Sequence, residues 1–127
     1  MTESVRILRE KVKAPVEELD YGVDFTPVLR TGETIASITS ITSTPAEDAE
    51  LEGRLVIDDG DEHVAPAINS ATFLNDEGTT VALSKGVIFW VLGGIDGVVY
   101  RINVRVVTSL GRKWKAVCIL RIDDGDL

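Results

Sequence analysis

The chain has 127 residues, of which 44% are hydrophobic, and a formal net charge of −8 at pH 7. That length fits one domain with its own core, and the negative charge argues against a nucleic-acid partner, since phosphate backbones attract clustered Lys and Arg. The single cysteine, Cys118, excludes an internal disulfide. We expect no membrane partner, because the longest apolar run, GVIFWVLGGI, is far shorter than the roughly 20 residues of a membrane helix. We also expect no signal peptide, because MTESVRILREKVKAP carries charges throughout and has no apolar h-region.

The first residues fit either a short helix or an extended arm. Val5, Leu8 and Val12 share a helical face, whereas an extended arm would expose Val5, Ile7, Leu8 and Val12 for contact with a neighbouring protein. A terminus packed on its own domain is the alternative. We therefore divide the chain into an N-terminal arm, residues 1–14, and a domain, residues 15–127.

Short strands follow in the first half of the domain. LDYGVDF alternates, with Leu19, Tyr21, Val23 and Phe25 predicted inward and Asp20 and Asp24 outward. TPVLRTGE is predicted as a loop, TIASITSIT as a strand, STPAEDAELEG as a surface loop, and GRLVID as a short strand. The turn DEG between INSATFLN and TTVALS predicts a hairpin.

The second half contains the clearest strands. VIFWVLGG is a buried strand closed by glycines, and it is apolar on both faces, which makes Ile88 and Trp90 candidates for contact with another protein. VVYRINVRVVTS alternates strictly and KWKAVCILRI returns from the turn SLGR, so the two form a hairpin. Seven to nine short strands, with turn signals every 8–12 residues, predict an all-β, immunoglobulin-like antiparallel sandwich.

The five-residue sequence IDDGD occurs twice, at residues 57–61 and 122–126. Asp58, Asp59 and Asp61 are candidate ligands for a hard cation, but neither copy has the spacing of an EF-hand loop. Asp-Gly is also a common turn signal, and each copy follows a strand. We favour two acidic turns with side chains in water over a metal site.

No pattern in the sequence supports catalysis or a cofactor. The only histidine, His63, adjoins an acidic turn, and Cys118 falls on the inward side of a strand, where a thiol is inert. There is no phosphate-binding loop, dinucleotide fingerprint or zinc spacing. Most aromatic residues take inward positions, with Trp90 as the exception, so a sugar-binding face is not favoured.

Two stretches resemble a known family. PVEELDYGVDFTPVLRTGETIASI and VLGGIDGVVYRINVRVVTSLGR resemble, in order, the opening and closing segments of small immunoglobulin-like virion proteins of tailed bacteriophages. Residues 45–66 look like an insertion into that pattern. The matching positions are Glu17, Leu19, Asp20, Tyr21, Asp24, Gly32–Ser37, Gly93, Gly94, Gly97, Tyr100, Val104, Thr108, Gly111 and Arg112.

This resemblance implies a non-enzymatic structural protein of the virion, made in the host cytoplasm. It would act by multi-copy contacts at the neck, the head–tail junction or the collar, with portal, neck, capsid or fibre proteins as partners and a homo-oligomer as its state. The alternatives are a capsid decoration protein and a fibre-base or adhesion module that binds a host glycan. Acidic and basic stretches are separated along the chain, which indicates either solvated faces or charge complementarity between neighbouring subunits.

Overall fold

The structure is a computed structural model that describes residues 4–8, 10–44 and 55–125, with the backbone alone for residues 4–7. The strands are β1 Ser4–Ile7, β2 Lys11–Lys13, β3 Leu19–Asp24, β4 Ile35–Thr44, β5 Val56–Ile57, β6 Ala67–Ile68, β7 Phe73–Leu74, β8 Thr80–Val81, β9 Gly86–Leu92, β10 Val99–Thr108 and β11 Lys113–Ile122. Within the described ranges, a 3₁₀ turn spans Thr26–Val28. The prediction of an all-β sandwich is confirmed, with more strands than expected because the N-terminal segment adds β1 and β2 and the predicted strand INSATFLN is divided between β6 and β7.

Two main sheets pack face to face. Sheet A has the order β1-β11-β10-β4, with β2 also paired to β11, and sheet B has the order β3-β9-β5, with β6 also paired to β9. The hairpin β7–β8 forms a small third sheet. No helix among the described residues is long and apolar enough to cross a membrane.

The N-terminal segment is extended rather than helical. β1 and β2 both pair in parallel with β11, with Ser4 opposite Trp114 and Lys11 opposite Leu120. This pairing satisfies the backbone groups along an edge of β11 that would otherwise be open. Lys13 ends β2 with its side chain fully buried, and its Nζ donates to the carbonyl oxygens of Gly93 at 2.5 Å and Ala14 at 2.8 Å.

The core lies between the two main sheets. The inward positions predicted for the long hairpin are confirmed: those of β10 are buried from Tyr100 to Thr108, and those of β11 from Ala116 to Ile122, with Trp114 half-buried. Sheet B contributes Val23, Phe89 and Val91 to the same core. Strict alternation of apolar and polar residues was sufficient to predict the buried side chains of this hairpin, because each strand has one face on the core.

One predicted outward residue is buried. Asp24 is 9% exposed, because the β7–β8 hairpin folds over the outer face of sheet B. Its carboxylate accepts from the backbone N–H of Thr26 at 2.8 Å and from the side chain of Asn75 at 3.0 Å. The Phe73 ring fills the space above Gly22 and Gly86, where an added Cβ would come within 2.4 Å and 2.7 Å of ring carbons. Neither glycine can therefore carry a side chain unless the hairpin moves.

A buried ion pair joins the loop before β4 to the β10–β11 hairpin. Glu33 is 1% exposed, and both of its carboxylate oxygens accept from the guanidinium of Arg112, with the Nε contact at 2.9 Å. The Thr108 hydroxyl and the Arg30 backbone N–H also donate to it. The hydrogen bond from Arg112 lowers the pKa of Glu33 to about 2, against the opposing effect of burial.

Candidate functional site

The first IDDGD segment folds as a turn around one buried carboxylate. Asp58 is 3% exposed and accepts from the backbone N–H groups of His63 at 2.7 Å and Glu62 at 3.2 Å. Burial raises the pKa of Asp58, but hydrogen bonds from the backbone of His63, Glu62 and Gly60 outweigh it and the pKa is lowered. The prediction of a turn is confirmed; the prediction that its acids all point into water is wrong for Asp58.

His63 packs on the outer face of sheet B. Its ring stacks on the indole of Trp90 with centroids 4.0 Å apart and planes 8° apart, and a ring nitrogen lies 2.6 Å from Oε1 of Glu18. Cys118 is buried in the core on the other side of sheet B, and burial raises the pKa of its thiol to about 12. The structure therefore separates the two residues that a Cys–His mechanism would need together.

Two predicted contact residues line one groove on the outer face of sheet B. Ile88 and Trp90 lie there beside Val64, which is 65% exposed, and the two alanines Ala65 and Ala67. The groove is largely apolar because two outward side chains of β9, Ile88 and Trp90, are hydrophobic and the 58–66 loop adds Val64 and Ala65. The structure thus places both residues in one groove, and their contact with another protein stays a prediction.

The other predicted contact residues lie along the β1–β2 edge of sheet A. Leu8 is half-buried against the core, and Val12 on β2 is 51% exposed. Val5 and Ile7 belong to β1, whose backbone alone is described. Residues 45–54, most of the predicted STPAEDAELEG loop, lie outside the described residues.

The candidate metal ligands are not brought together as a set of three. Among the described residues, the group of carboxylates whose oxygens approach within 4.8 Å of one another is Asp96, Asp123 and Asp124, all exposed. Two of them come from the second IDDGD, and Asp96 comes from the IDG turn, a position that sequence reasoning missed. Backbone N–H groups already donate within this cluster, from Gly125 to Asp123 and from Asp124 to Asp96.

Comparison with known families identifies the family of this chain. A family model described as "Podophage GP4 fiber-tail adaptor protein gp77" matches residues 13–121. The chain belongs to this family. The expected tailed-phage virion structural protein is thereby confirmed, and the family is one of structural adaptors rather than known enzymes. A search of curated proteins finds no match.

In this adaptor, the outer faces of the two sheets carry opposite charges. The outward positions of β10 and β11 hold five cations: Arg101, Arg105, Lys113, Lys115 and Arg121. Around the Trp90 side of sheet B stand five exposed carboxylates: Glu18, Asp20, Asp59, Asp61 and Glu62. Sequence analysis detected that the charges were segregated but could not assign them to opposite faces.

Proposed function

We propose that this protein is a non-enzymatic adaptor at the neck of a podophage particle, where it holds tail fibres on the tail through repeated protein–protein contacts. The observation that carries the proposal is the family match over residues 13–121, whose description names a fibre–tail adaptor. The sandwich has no disulfide and several exposed apolar side chains, which suits a structural protein that is bound by neighbouring proteins in an assembly.

We assign one partner surface to the groove at Ile88 and Trp90. Partly exposed tryptophan at the centre of a contact is the side chain that most often dominates binding energy. His63 stacks on Trp90 and holds it in place, so little side-chain entropy remains to be lost on binding. A partner segment with apolar side chains and a basic flank fits the groove and its acidic surroundings.

We assign the second partner surface to the N-terminal arm, residues 1–14. β1 is the terminal strand of sheet A, so its outer edge offers backbone groups to an added strand. Val12 presents an exposed apolar side chain on the same side of the sheet. Two separate surfaces are what an adaptor requires, because it must bind the tail and the fibre at the same time.

The test is binding of the purified protein to the fibre protein and to the tail proteins of the same phage, measured by biolayer interferometry. We expect Trp90→Ala to weaken binding to one partner by at least about thirtyfold, since hot-spot truncations cost about 2 kcal/mol or more. Deletion of residues 1–10 should weaken binding to the other partner. Leu110→Ala is the matched control, because Leu110 is 58% exposed at the β10–β11 turn and belongs neither to the groove nor to the arm.

The alternatives predict other results in the same set of experiments. A capsid decoration protein would bind capsids and leave fibre and tail proteins unbound. A glycan-binding module would bind a glycan array through exposed aromatic faces, but one face of Trp90 is already covered by His63. Binding to neither fibre nor tail proteins, with the protein folded, would refute the adaptor role.

A further inference from the structure

Among the described residues, the strands before Lys13 are held on sheet A by short ladders and little burial. β1 and β2 pair with β11 over four and three residues, and parallel pairing is slightly less stable per residue than antiparallel pairing. Leu8 packs against the core but is only half-buried, and Val12 is 51% exposed. The ion pairs at this edge are partly exposed and therefore contribute little: Glu10–Arg121 and Lys11–Asp76.

The packing beside these two strands is incomplete. A small apolar cavity between the sheets is lined by Leu8 and Lys11 from the strand side and by Tyr21 from β3. Two buried side-chain atoms of the described residues have no hydrogen-bond partner, the Tyr21 hydroxyl and Nε1 of Trp114. Tyr21 lies under Lys11, whose Nζ is 5.8 Å from its ring centre, and Trp114 stands opposite Ser4 in the register. Because a buried polar atom without a partner is destabilising, the docked position of the strands carries a penalty that water would remove on their release.

Lys13 marks the point at which the chain becomes firmly held. Its side chain is fully buried, and its Nζ donates to the carbonyl oxygens of Gly93 and Ala14. Its own carbonyl oxygen accepts from the backbone N–H of Asp123 at 2.9 Å. The family match also begins at residue 13, so residues 1–12 lie outside the part of the chain that it covers. Residues 1–12, called the leading segment below, can therefore leave β11 without removing any residue of the matched sandwich.

We propose that the leading segment leaves β11 and pairs as an added strand with an open sheet edge of the fibre or tail protein, while Lys13 stays anchored. This inference rests on the proposed function, which gives the arm a partner, and it deepens that assignment by naming how the arm binds. In β1, Val5 and Ile7 alternate with Ser4 and Arg6, and such alternation fixes the register of an added strand. Backbone hydrogen bonds lost on β11 are replaced on the partner, and twelve extended residues reach about 40 Å.

A disulfide staple tests whether the leading segment must leave β11 in order to bind. Val5 stands directly opposite Lys115 in the register, so the variant Val5→Cys/Lys115→Cys places two thiols side by side on β1 and β11. Cys118 does not compete, because it is buried and burial raises the pKa of its thiol to about 12. Titration of free thiols in denaturant verifies that the staple has closed. The reduced form of the same variant is the matched control, since it differs from the oxidised form only by the disulfide.

Biolayer interferometry against the fibre protein and the tail proteins of the same phage gives the readout. We expect the closed staple to weaken binding to the partner of the arm at least about tenfold, because it removes the binding-competent state of the segment. Reduction should restore that binding, and deletion of residues 1–10 should abolish it in either redox state. Binding to the partner of the Trp90 groove should not change, which verifies that the stapled protein is folded.

Amide hydrogen exchange, followed by NMR, tests whether the leading segment opens in the free protein. The Leu8 amide donates to the Val117 carbonyl oxygen at 2.9 Å, and it should exchange at least about 100-fold faster than the amides of the β10–β11 ladder. The Asp123 amide donates to the anchored Lys13 and should exchange as slowly as that ladder. Exchange at Leu8 as slow as at Asp123 would mean that the segment opens only when the whole sandwich unfolds, which contradicts the proposal.

The binding results separate failure of this inference from failure of the proposed function. Full binding by the stapled protein, to a partner that the deletion no longer binds, would show that the arm binds while docked on β11; release is then wrong and the arm remains a partner surface. A dimer of the purified protein that needs residues 1–10 and dissociates when the staple closes would assign the segment to a second copy and overturn the proposed partner. A deletion that weakens binding to neither partner would remove both the inference and the role assigned to the arm.

Discussion

Neutralising Glu33 should remove a large part of the stability of the sandwich. Its carboxylate is 1% exposed and receives two donors from Arg112, one from Thr108 and one from the backbone of Arg30. Breaking a buried ion pair by removing one partner costs about 3–5 kcal/mol. Glu33→Gln keeps the shape of the side chain, so we expect a loss near the lower limit, about 3 kcal/mol.

Thermal and urea denaturation measure this loss. For a domain of this size, 1 kcal/mol corresponds to ~4 °C in Tm, so Glu33→Gln should lower Tm by roughly 12 °C. The control is Glu10→Gln, which removes the exposed ion pair with Arg121 and should cost no more than about 1 kcal/mol. Arg112→Met should cost at least as much as Glu33→Gln, because it leaves a charged carboxylate buried without its cation.

The pH dependence of stability provides a second test. The pKa of Glu33 is lowered from 4.5 to about 2 in the folded protein, so its stabilising contribution is complete above pH 4.5 and is lost as the pH falls toward 2. Wild-type protein should therefore lose more stability than Glu33→Gln across that interval. A double-mutant cycle with Arg112→Met that gave a coupling energy under about 0.5 kcal/mol would refute the reasoning.

Three further predictions follow from single contacts. Gly86→Ala should destabilise the protein by about 1–3 kcal/mol in urea, because its Cβ would lie 2.7 Å from the Phe73 ring and 2.8 Å from the Val23 carbonyl oxygen; an unchanged midpoint would show that the hairpin can move. Asp58→Ala should speed hydrogen exchange at the Glu62 and His63 amides, which lose their acceptor, and unchanged exchange there would contradict its role in the turn. Cys118, with a pKa raised to about 12 by burial, should resist aromatic disulfide reagents at pH 8 in the folded protein and react in denaturant; rapid reaction of the native protein would mean that the core opens.

In strands that have one face on the core, the inward positions were predictable, because alternation of apolar and polar residues with a period of two indicates which side chains are buried. Tyr100 to Thr108 on β10 follow this rule throughout, whereas β9 is apolar on both faces, so its sequence alone did not indicate which face meets the core. The turn at DEG was equally clear, since Asp and Gly mark hairpin turns. The family resemblance rested on such turn and strand residues, and the match over residues 13–121 confirms it.

The misses occurred at apparently exposed residues that a distant segment covers, as at Asp24, or that the surrounding turn encloses, as at Asp58. Asp24 and Asp58 occupy positions that look solvated, yet a hairpin and a backbone turn enclose them and supply their hydrogen-bond donors. Lys13 belongs to the predicted arm, but its ammonium reaches the Gly93 carbonyl oxygen, 80 positions along the chain. Burial of this kind depends on which segments meet, and local sequence does not encode that directly.

The sequence by itself determined an all-β domain with paired strands and no recognisable catalytic motif, because those properties follow from local alternation, turn residues and composition; the virion class was implied by the resemblance of two stretches to a known family. Only the tertiary structure decided that Glu33 and Arg112 form one buried pair, that His63 stacks on Trp90, and that cations and carboxylates occupy opposite outer faces. These arrangements depend on the strand order and on the stacking of the two sheets, which bring together residues far apart in the chain.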